Sequence, residues 1–161
     1  MDVFQEAEML RKVPMFGGLS PAELKLLAFT SRLLRFAPGD ILMRKGDRAD
    51  CAYVILEGEV EIMGQTSAGE FVVAVMGVNA AVGEMGVLTD APRSATVRAR
   101  GAVTALRITA EVFLRLASEN PAGALHVMRQ LSTRLASELR VSEALREQLH
   151  SAAALAGRSA T

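Results

Sequence analysis

The chain has 161 residues, half of them apolar, with 18 lysines and arginines against 18 aspartates and glutamates. This suits one folded domain with a real core. It excludes a disordered chain, and zero net charge argues against a general binder of nucleic acid or anionic membrane while leaving room for a local basic patch.

The single cysteine, Cys51, rules out an internal disulfide and a four-cysteine metal site within one chain. The opening M-D-V-F-Q-E-A-E is broken by acidic residues, unlike a signal peptide. No apolar run approaches the roughly 18 residues of a membrane span, so a cytoplasmic protein without membrane contact is expected. Asp2 to Lys12 reads as a helix capped by Asp2, with Phe4, Ala7 and Leu10 near one face and Pro14 as its stop. After a loop, M-F-G-G-L, Ser20-Pro21-Ala22-Glu23 is a capping box with proline at the first helical position. Leu24, Leu27 and Ala28 supply the buried stripe of that second helix.

From Ser31 the pattern changes to short strands and turns. Leu33 to Phe36 ends at the turn Ala37-Pro38-Gly39-Asp40; Ile41-Leu42-Met43 is a strand and Lys45-Gly46-Asp47 a second turn. Ala52 to Glu57 is rich in strand formers and, with Val60 to Ile62 beyond Gly58, predicts a hairpin. Gln65 to Glu70 reads as a polar loop, Phe71 to Met76 as an apolar strand, and Gly77 to Val82 as a small-residue connection. Thr96 to Ala99 and Val103 to Ile108 are two further strands with Gly101 between them. Short, regularly spaced strands punctuated by Gly and Pro predict an all-β sandwich or barrel.

The tail is helical. Thr109 caps Ala110 to Ser118, and Asn120-Pro121 starts a helix whose Leu125, Met128, Leu131, Leu135, Leu139, Leu145 and Leu149 recur mostly three or four apart. Run to His150, that helix is about 45 Å long, more than a barrel of this size can cover. Its far half is therefore expected against a second copy or a partner, the alternative being a frayed end. The small residues of 151–161 predict a flexible tail.

Between strands lies the most informative stretch, Gly83 to Thr96: G-E-M-G-V-L-T-D-A-P-R-S-A-T. Gly83 and Gly86 let backbone approach a ligand closely. A helical turn over Glu84 to Leu88 would direct free N–H groups at an anion. Arg93 can add a bidentate fork to two phosphate oxygens, whereas Glu84 is repelled by a phosphate and suits a hydroxyl. The set fits a small ligand carrying both a sugar hydroxyl and a phosphate.

G-E-M-G-V-L at 83–88 followed by P-R-S-A-T-V at 92–97 resembles the phosphate-binding cassette of the cyclic nucleotide-binding domain family. P-G-D at 38–40, A-Y-V-I-L-E-G-E-V at 52–60 and L-S-P-A-E-L at 19–24 support the resemblance, which runs over nearly the whole length. The family includes regulatory subunits of cAMP-dependent protein kinase and catabolite-activator-type regulators. The resemblance implies a mainly β fold: a double-stranded β-helix (jelly-roll) barrel over 31–108, N-terminal helices over 1–30, and C-terminal helices over 109–150.

It also implies roles. Glu84 accepts the ribose 2′-hydroxyl and Arg93 pairs with the cyclic phosphate. The backbone N–H groups of Met85, Gly86 and Ser94, with Gly83, line the phosphate and sugar; Val82 and Ala95 flank them. Threonine after the arginine favours cGMP in the family, so Ser94 tilts the expectation to cAMP over cGMP. Aligning Pro121 with the start of the family's base-capping helix brings Arg134, Glu138 and Leu139 near the base. The chain departs from the family at Asn79 to Val82, N-A-A-V where members often have G-D-x-F, so Val82 replaces a larger aromatic. It ends at Thr161, without room for the helix-turn-helix of DNA-binding members, and no direct DNA binding is expected. The expected function is a cyclic nucleotide sensor acting through its C-terminal helix on a homodimer mate or partner protein; the alternative is a nucleotide-independent interaction scaffold.

An enzyme is not expected. A metal-dependent barrel needs two or three histidines and a carboxylate inside the barrel, whereas His126 and His150 both fall on the C-terminal helix. Neither a Ser-His-Asp nor a Cys-His set is spaced for catalysis, no metal or cofactor is implied, and Cys51 reads as a small buried residue at a strand start.

Overall fold

The computed structural model describes residues 1–159, with backbone alone at 122, 123, 127, 130, 134, 138 and 159. Capping chemistry opens both N-terminal helices. In α1 (Val3–Arg11) the Asp2 carboxylate accepts the Gln5 N–H at 2.9 Å, and the Gln5 side chain accepts the Asp2 N–H at 3.0 Å. Ser20 and Glu23 make the same reciprocal pair, each at 3.2 Å, for α2 (Pro21–Thr30). Leu24, Leu27 and Ala28 are buried as their spacing predicts. Phe4 is not. The inward stripe of α1 is Glu6, Ala7 and Leu10, and Phe4 sits outside it, 64% exposed under the Lys25 ammonium. The M-F-G-G-L loop opens as one 3-10 turn, Pro14–Phe16, that buries Met15 and Phe16.

Eight strands follow: β1 (Arg32–Phe36), β2 (Ile41–Met43), β3 (Cys51–Glu57), β4 (Val60–Thr66), β5 (Gly69–Met76), β6 (Ala81–Val82), β7 (Thr96–Ala99) and β8 (Val103–Thr109). They form two antiparallel four-stranded sheets, ordered β1-β8-β3-β6 and β2-β7-β4-β5. This is the eight-stranded jelly roll. Leu42, Met43, Tyr53, Ile55, Val60 and Val97 fill the space between the sheets. The other face of β3 is buried as well, which is why A-Y-V-I-L runs apolar without alternation.

Two expectations about the strands need correction. β3 and β4 do not pair as a hairpin but lie in different sheets. Gly58, at φ +84°, turns the chain from one sheet to the other so close to the Ala102 carbonyl that any Cβ would collide with it. The polar 65–70 stretch is mostly strand: β4 runs through Thr66, β5 begins at Gly69, and Thr66 pairs with Gly69. The segment 151–159 continues the C-terminal helix, in keeping with the helix propensity of S-A-A-A-L-A.

Between β6 and β7 stands α3 (Glu84–Thr89), and after β8 come α4 (Ala110–Glu119), capped by Thr109, and α5 (Pro121–Ser159). Contacts divide the chain into two units, one spanning Met1–Ala124 and the other beginning at Leu125. Within the second unit Leu125, Met128, Leu135, Leu139, Leu145 and Leu149 are all exposed. Among the described residues no helix is long and apolar enough to cross a membrane.

Candidate functional site

The G-E-M-G stretch folds as its residues dictate. Gly83 takes the left-handed conformation, φ +79°, and serves as the N-cap of α3 without offering a side-chain cap. Glu84, half-buried, is the first helical residue; Met85 and Gly86 complete the first turn. Asp90, also left-handed at φ 50°, closes the helix, and its N–H is directed at Gly86 and Val87 carbonyls.

Arg93 returns from the far side of this short helix into its start. Its side chain is 4% exposed. Nη1 donates to the Gly83 carbonyl at 2.7 Å, and Nη2 donates to the Cys51 carbonyl at 2.6 Å. Both acceptors are neutral, so they fix the plane of the guanidinium without cancelling its charge. A carboxylate within reach is that of Asp50, 3.9 Å from Nη2, 63% exposed, and hydrogen-bonded at 3.3 Å to Arg107. The Arg93 backbone is clamped as firmly as its side chain. Its N–H donates to the Asp47 carbonyl and its carbonyl accepts the Gly46 N–H, each at 2.8 Å. Three residues further on, the Thr96 hydroxyl accepts the Lys45 N–H at 3.0 Å.

Packing leaves the two cassette glycines little room for a side chain. A Cβ on Gly83 would lie 2.5 Å from Arg93 Nη1 and 2.7 Å from Met43 Cε. One on Gly86 would lie 2.8 Å from the Ala49 Cβ and 3.3 Å from the Ala91 carbonyl oxygen. The structure thus brings Gly83, Glu84, Met85, Gly86 and Arg93 together around the start of α3. Ser94 is exposed just beyond the arginine, Ala95 is half-buried, and Val82 is 3% exposed in the barrel core, opposite Tyr53 on β3. The expectations on Arg134 and Glu138 fall on side chains outside the described residues; Leu139 is exposed on α5.

Sequence reasoning missed several neighbours: Met43 and Ala49, which bound the two glycines, Gly46 and Asp47, which clamp Arg93, and the Asp50–Arg107 pair. The turn K-G-D was visible, but nothing local ties it to a residue almost fifty positions on. Cys51 is a buried strand residue, as read from the sequence, and burial pushes its thiol pKa up, with Tyr53 hydrogen bonding opposing. Burial, with Cys51 beside it, pushes Tyr53 to about 12. Among the described residues no group of three or more His, Cys, Asp or Glu is gathered to hold a metal ion.

Comparison with known proteins follows this geometry. The model of the cyclic nucleotide-binding domain family matches residues 33–120, from β1 to the end of α4. A cAMP-dependent protein kinase regulatory subunit of Mycosarcoma maydis is 33% identical over 101 residues, which cover 63% of this chain and 19% of that protein. The chain spans between 19% and 35% of the length of the first three curated relatives it matches, all cAMP-dependent protein kinase regulatory subunits. The sensor domain of the transcriptional regulator DNR from Pseudomonas aeruginosa superposes with a TM-score of 0.77 at 27% identity, covering 86% of this chain and 95% of that one. The regulatory subunit of a cAMP-independent protein kinase A from Trypanosoma brucei superposes at 0.69 with 26% identity, covering 81% and 48%.

Proposed function

The chain belongs to the cyclic nucleotide-binding domain family, and from that premise we propose that it is a regulatory module that binds a cyclic nucleotide, cAMP ahead of cGMP, at the start of α3. One observation carries the reading: a buried arginine, oriented by two neutral carbonyls, beside a glycine-opened helix start. That arrangement holds a cation ready for an anion of defined position. In this reading Arg93 takes the cyclic phosphate, Glu84 the ribose 2′-hydroxyl, and the backbone N–H groups of Met85, Gly86 and Ser94 the remaining oxygens. Ser94 is exposed beside the arginine, where a side chain can meet the base; serine there tilts the choice to cAMP.

The reading gives no catalytic role to any residue. Output passes through α5, whose exposed leucines suit a second copy of the chain or a partner protein. Ligand shifts that contact only if it binds two arrangements unequally. A cytoplasmic setting, with neither DNA nor membrane as a direct partner, completes the proposal. The Trypanosoma brucei neighbour, described as cAMP-independent, gives a specific reason to keep a second reading, in which the same fold serves as a scaffold without responding to cAMP.

Cyclic AMP has roughly 22 non-hydrogen atoms, and at about 0.3 kcal/mol per atom the affinity falls in the micromolar range. Titration calorimetry and equilibrium dialysis with cAMP and cGMP separate the readings. Micromolar binding of cAMP with weaker cGMP supports the proposal; no binding of either at about 100 µM favours the scaffold.

A further inference from the structure

Asp50 lies between two guanidinium groups and is bonded to one of them. Its Oδ2 accepts a hydrogen bond from Arg107 Nη2 at 3.3 Å, while its Oδ1 stands 3.9 Å from Arg93 Nη2. Its backbone is pinned: the N–H donates to the Arg48 carbonyl at 3.1 Å and the carbonyl accepts the Ala110 N–H at 2.9 Å. The carboxylate, 63% exposed, keeps rotamer freedom and can turn towards either arginine. Arg107 is fixed within the sheet on β8, opposite Tyr53 on β3 and Arg32 on β1. It therefore competes from a rigid platform for a carboxylate that stands 3.9 Å from Arg93.

We propose that Arg107 is a positioning residue: by holding Asp50, it keeps the charge of Arg93 available for the phosphate of the ligand. This rests on the reading that Arg93 takes a ligand phosphate. Without Arg107, Arg93 is the cationic neighbour left to Asp50 among the described residues, and a shift of about one ångström tightens their 3.9 Å contact into a hydrogen-bonded ion pair. An incoming phosphate must then displace a carboxylate instead of meeting a waiting cation. Arg107 touches no ligand in this scheme and acts through Asp50 alone.

A double-mutant cycle tests it. Affinity for cAMP is measured by calorimetry for the wild type, Arg107→Gln, Asp50→Asn and the double variant, with Arg107→Lys as the conservative exchange. Arg107→Gln is expected to weaken binding about fivefold, and by less than about twofold when Asp50 is already Asn, the coupling expected of charges in one network. Arg107→Lys, which can still hold Asp50, restores affinity to within about twofold of wild type. Equal losses in both backgrounds overturn the proposal, since a structural defect or a plain loss of positive charge does not depend on Asp50.

A second readout needs no ligand. The guanidinium ¹⁵N–¹H signals of Arg93 in the free protein should shift in Arg107→Gln and return in the double variant; no shift also overturns the proposal. If the wild type binds neither cAMP nor cGMP, the ligand assignment fails, and these signals alone decide whether Arg107 governs the Asp50–Arg93 pair.

Discussion

Gly83 and Arg93 are fitted to each other twice: the glycine carbonyl accepts the guanidinium Nη1 at 2.7 Å, and the Cβ that glycine lacks would lie 2.5 Å from the same nitrogen. Gly83→Ala is therefore expected to do two things. The left-handed backbone costs a Cβ-bearing residue about 1–2 kcal/mol, and the methyl group drives Arg93 out of plane. Urea unfolding should show the first effect. Calorimetry with cAMP should show at least tenfold weaker binding, beyond what lost stability explains.

Arg93→Ala removes the charge itself. On the proposed reading a ligand phosphate left without its partner loses on the order of 2–4 kcal/mol, so binding should fall more than tenfold, and further than in Glu84→Ala, to which that reading gives a hydroxyl contact. Arg93→Lys keeps the charge but loses the fork that spans the Gly83 and Cys51 carbonyls, and should fall between. Unchanged affinity in Arg93→Ala would sink the site.

The tight fit of α3 against the β2–β3 loop can be tested by rescue. A methyl group on Gly86 meets the Ala49 methyl at 2.8 Å, so Gly86→Ala should destabilise by about 1–3 kcal/mol, the usual range for overpacking. Ala49→Gly in the same chain should recover part of that loss, the residual contact at 3.3 Å to the Ala91 carbonyl oxygen remaining. Strict additivity of the two changes would refute the contact.

Asn79 has φ 72° and a side-chain Oδ1 that is buried without a hydrogen-bond partner. Its N–H still donates to the Ile55 carbonyl at 2.9 Å, which holds the turn in place. Asn tolerates this conformation better than Ala, and Gly better than either. Stability by urea unfolding is expected in the order Asn79→Gly, wild type, Asn79→Ala, with the last about 1 kcal/mol below wild type. An Asn79→Ala variant as stable as wild type would show that the conformation does not govern the turn.

Glu6 sits on the buried face of α1. Burial holds its carboxyl above the usual carboxylate range; the N-terminal amine pulls it down and Asp2 pushes it up. The folded chain thus binds this proton more tightly than the unfolded chain. Its contribution to stability is complete below the unfolded value, near 4.5, and is lost as pH rises through the higher folded value. Glu6→Gln, which cannot ionise, should gain on wild type across that interval and stay ahead at neutral pH. Urea midpoints of the two proteins compared across pH give the sign directly.

Local signals in the sequence located most of the fold because each element carries its own chemistry. Ser20 and Glu23 announce a helix start, Thr109 and Pro121 announce two more, and the G-E-M-G turn folds as its glycines require. Failures arose where a distant partner decides. Ala52 to Ile62 has the look of a hairpin, yet Gly58 serves a close approach to Ala102, forty-four positions on, and sends the two strands into separate sheets. Phe4 satisfied one helical spacing while the stripe from Glu6 to Leu10 followed another. At the site, Gly83, Glu84 and Arg93 were legible because they are clustered in sequence. Ala49, Asp50 and Arg107 were not, since what places them beside the cassette is strand register.

The clamp on Arg93 has a consequence for the order of assembly. Its side chain bonds to Cys51 across a sequence separation of 42, and its backbone bonds to Gly46 and Asp47 from the same far segment. Closing so long a loop costs entropy that no local contact of the cassette returns. While a chain is being synthesised, the arginine of the cassette has no fixed direction until β3 and β7 stand in their two sheets. On the proposed reading ligand capture is then a late event in folding, and a cyclic nucleotide added to refolding protein should slow unfolding without hastening the approach to the native state.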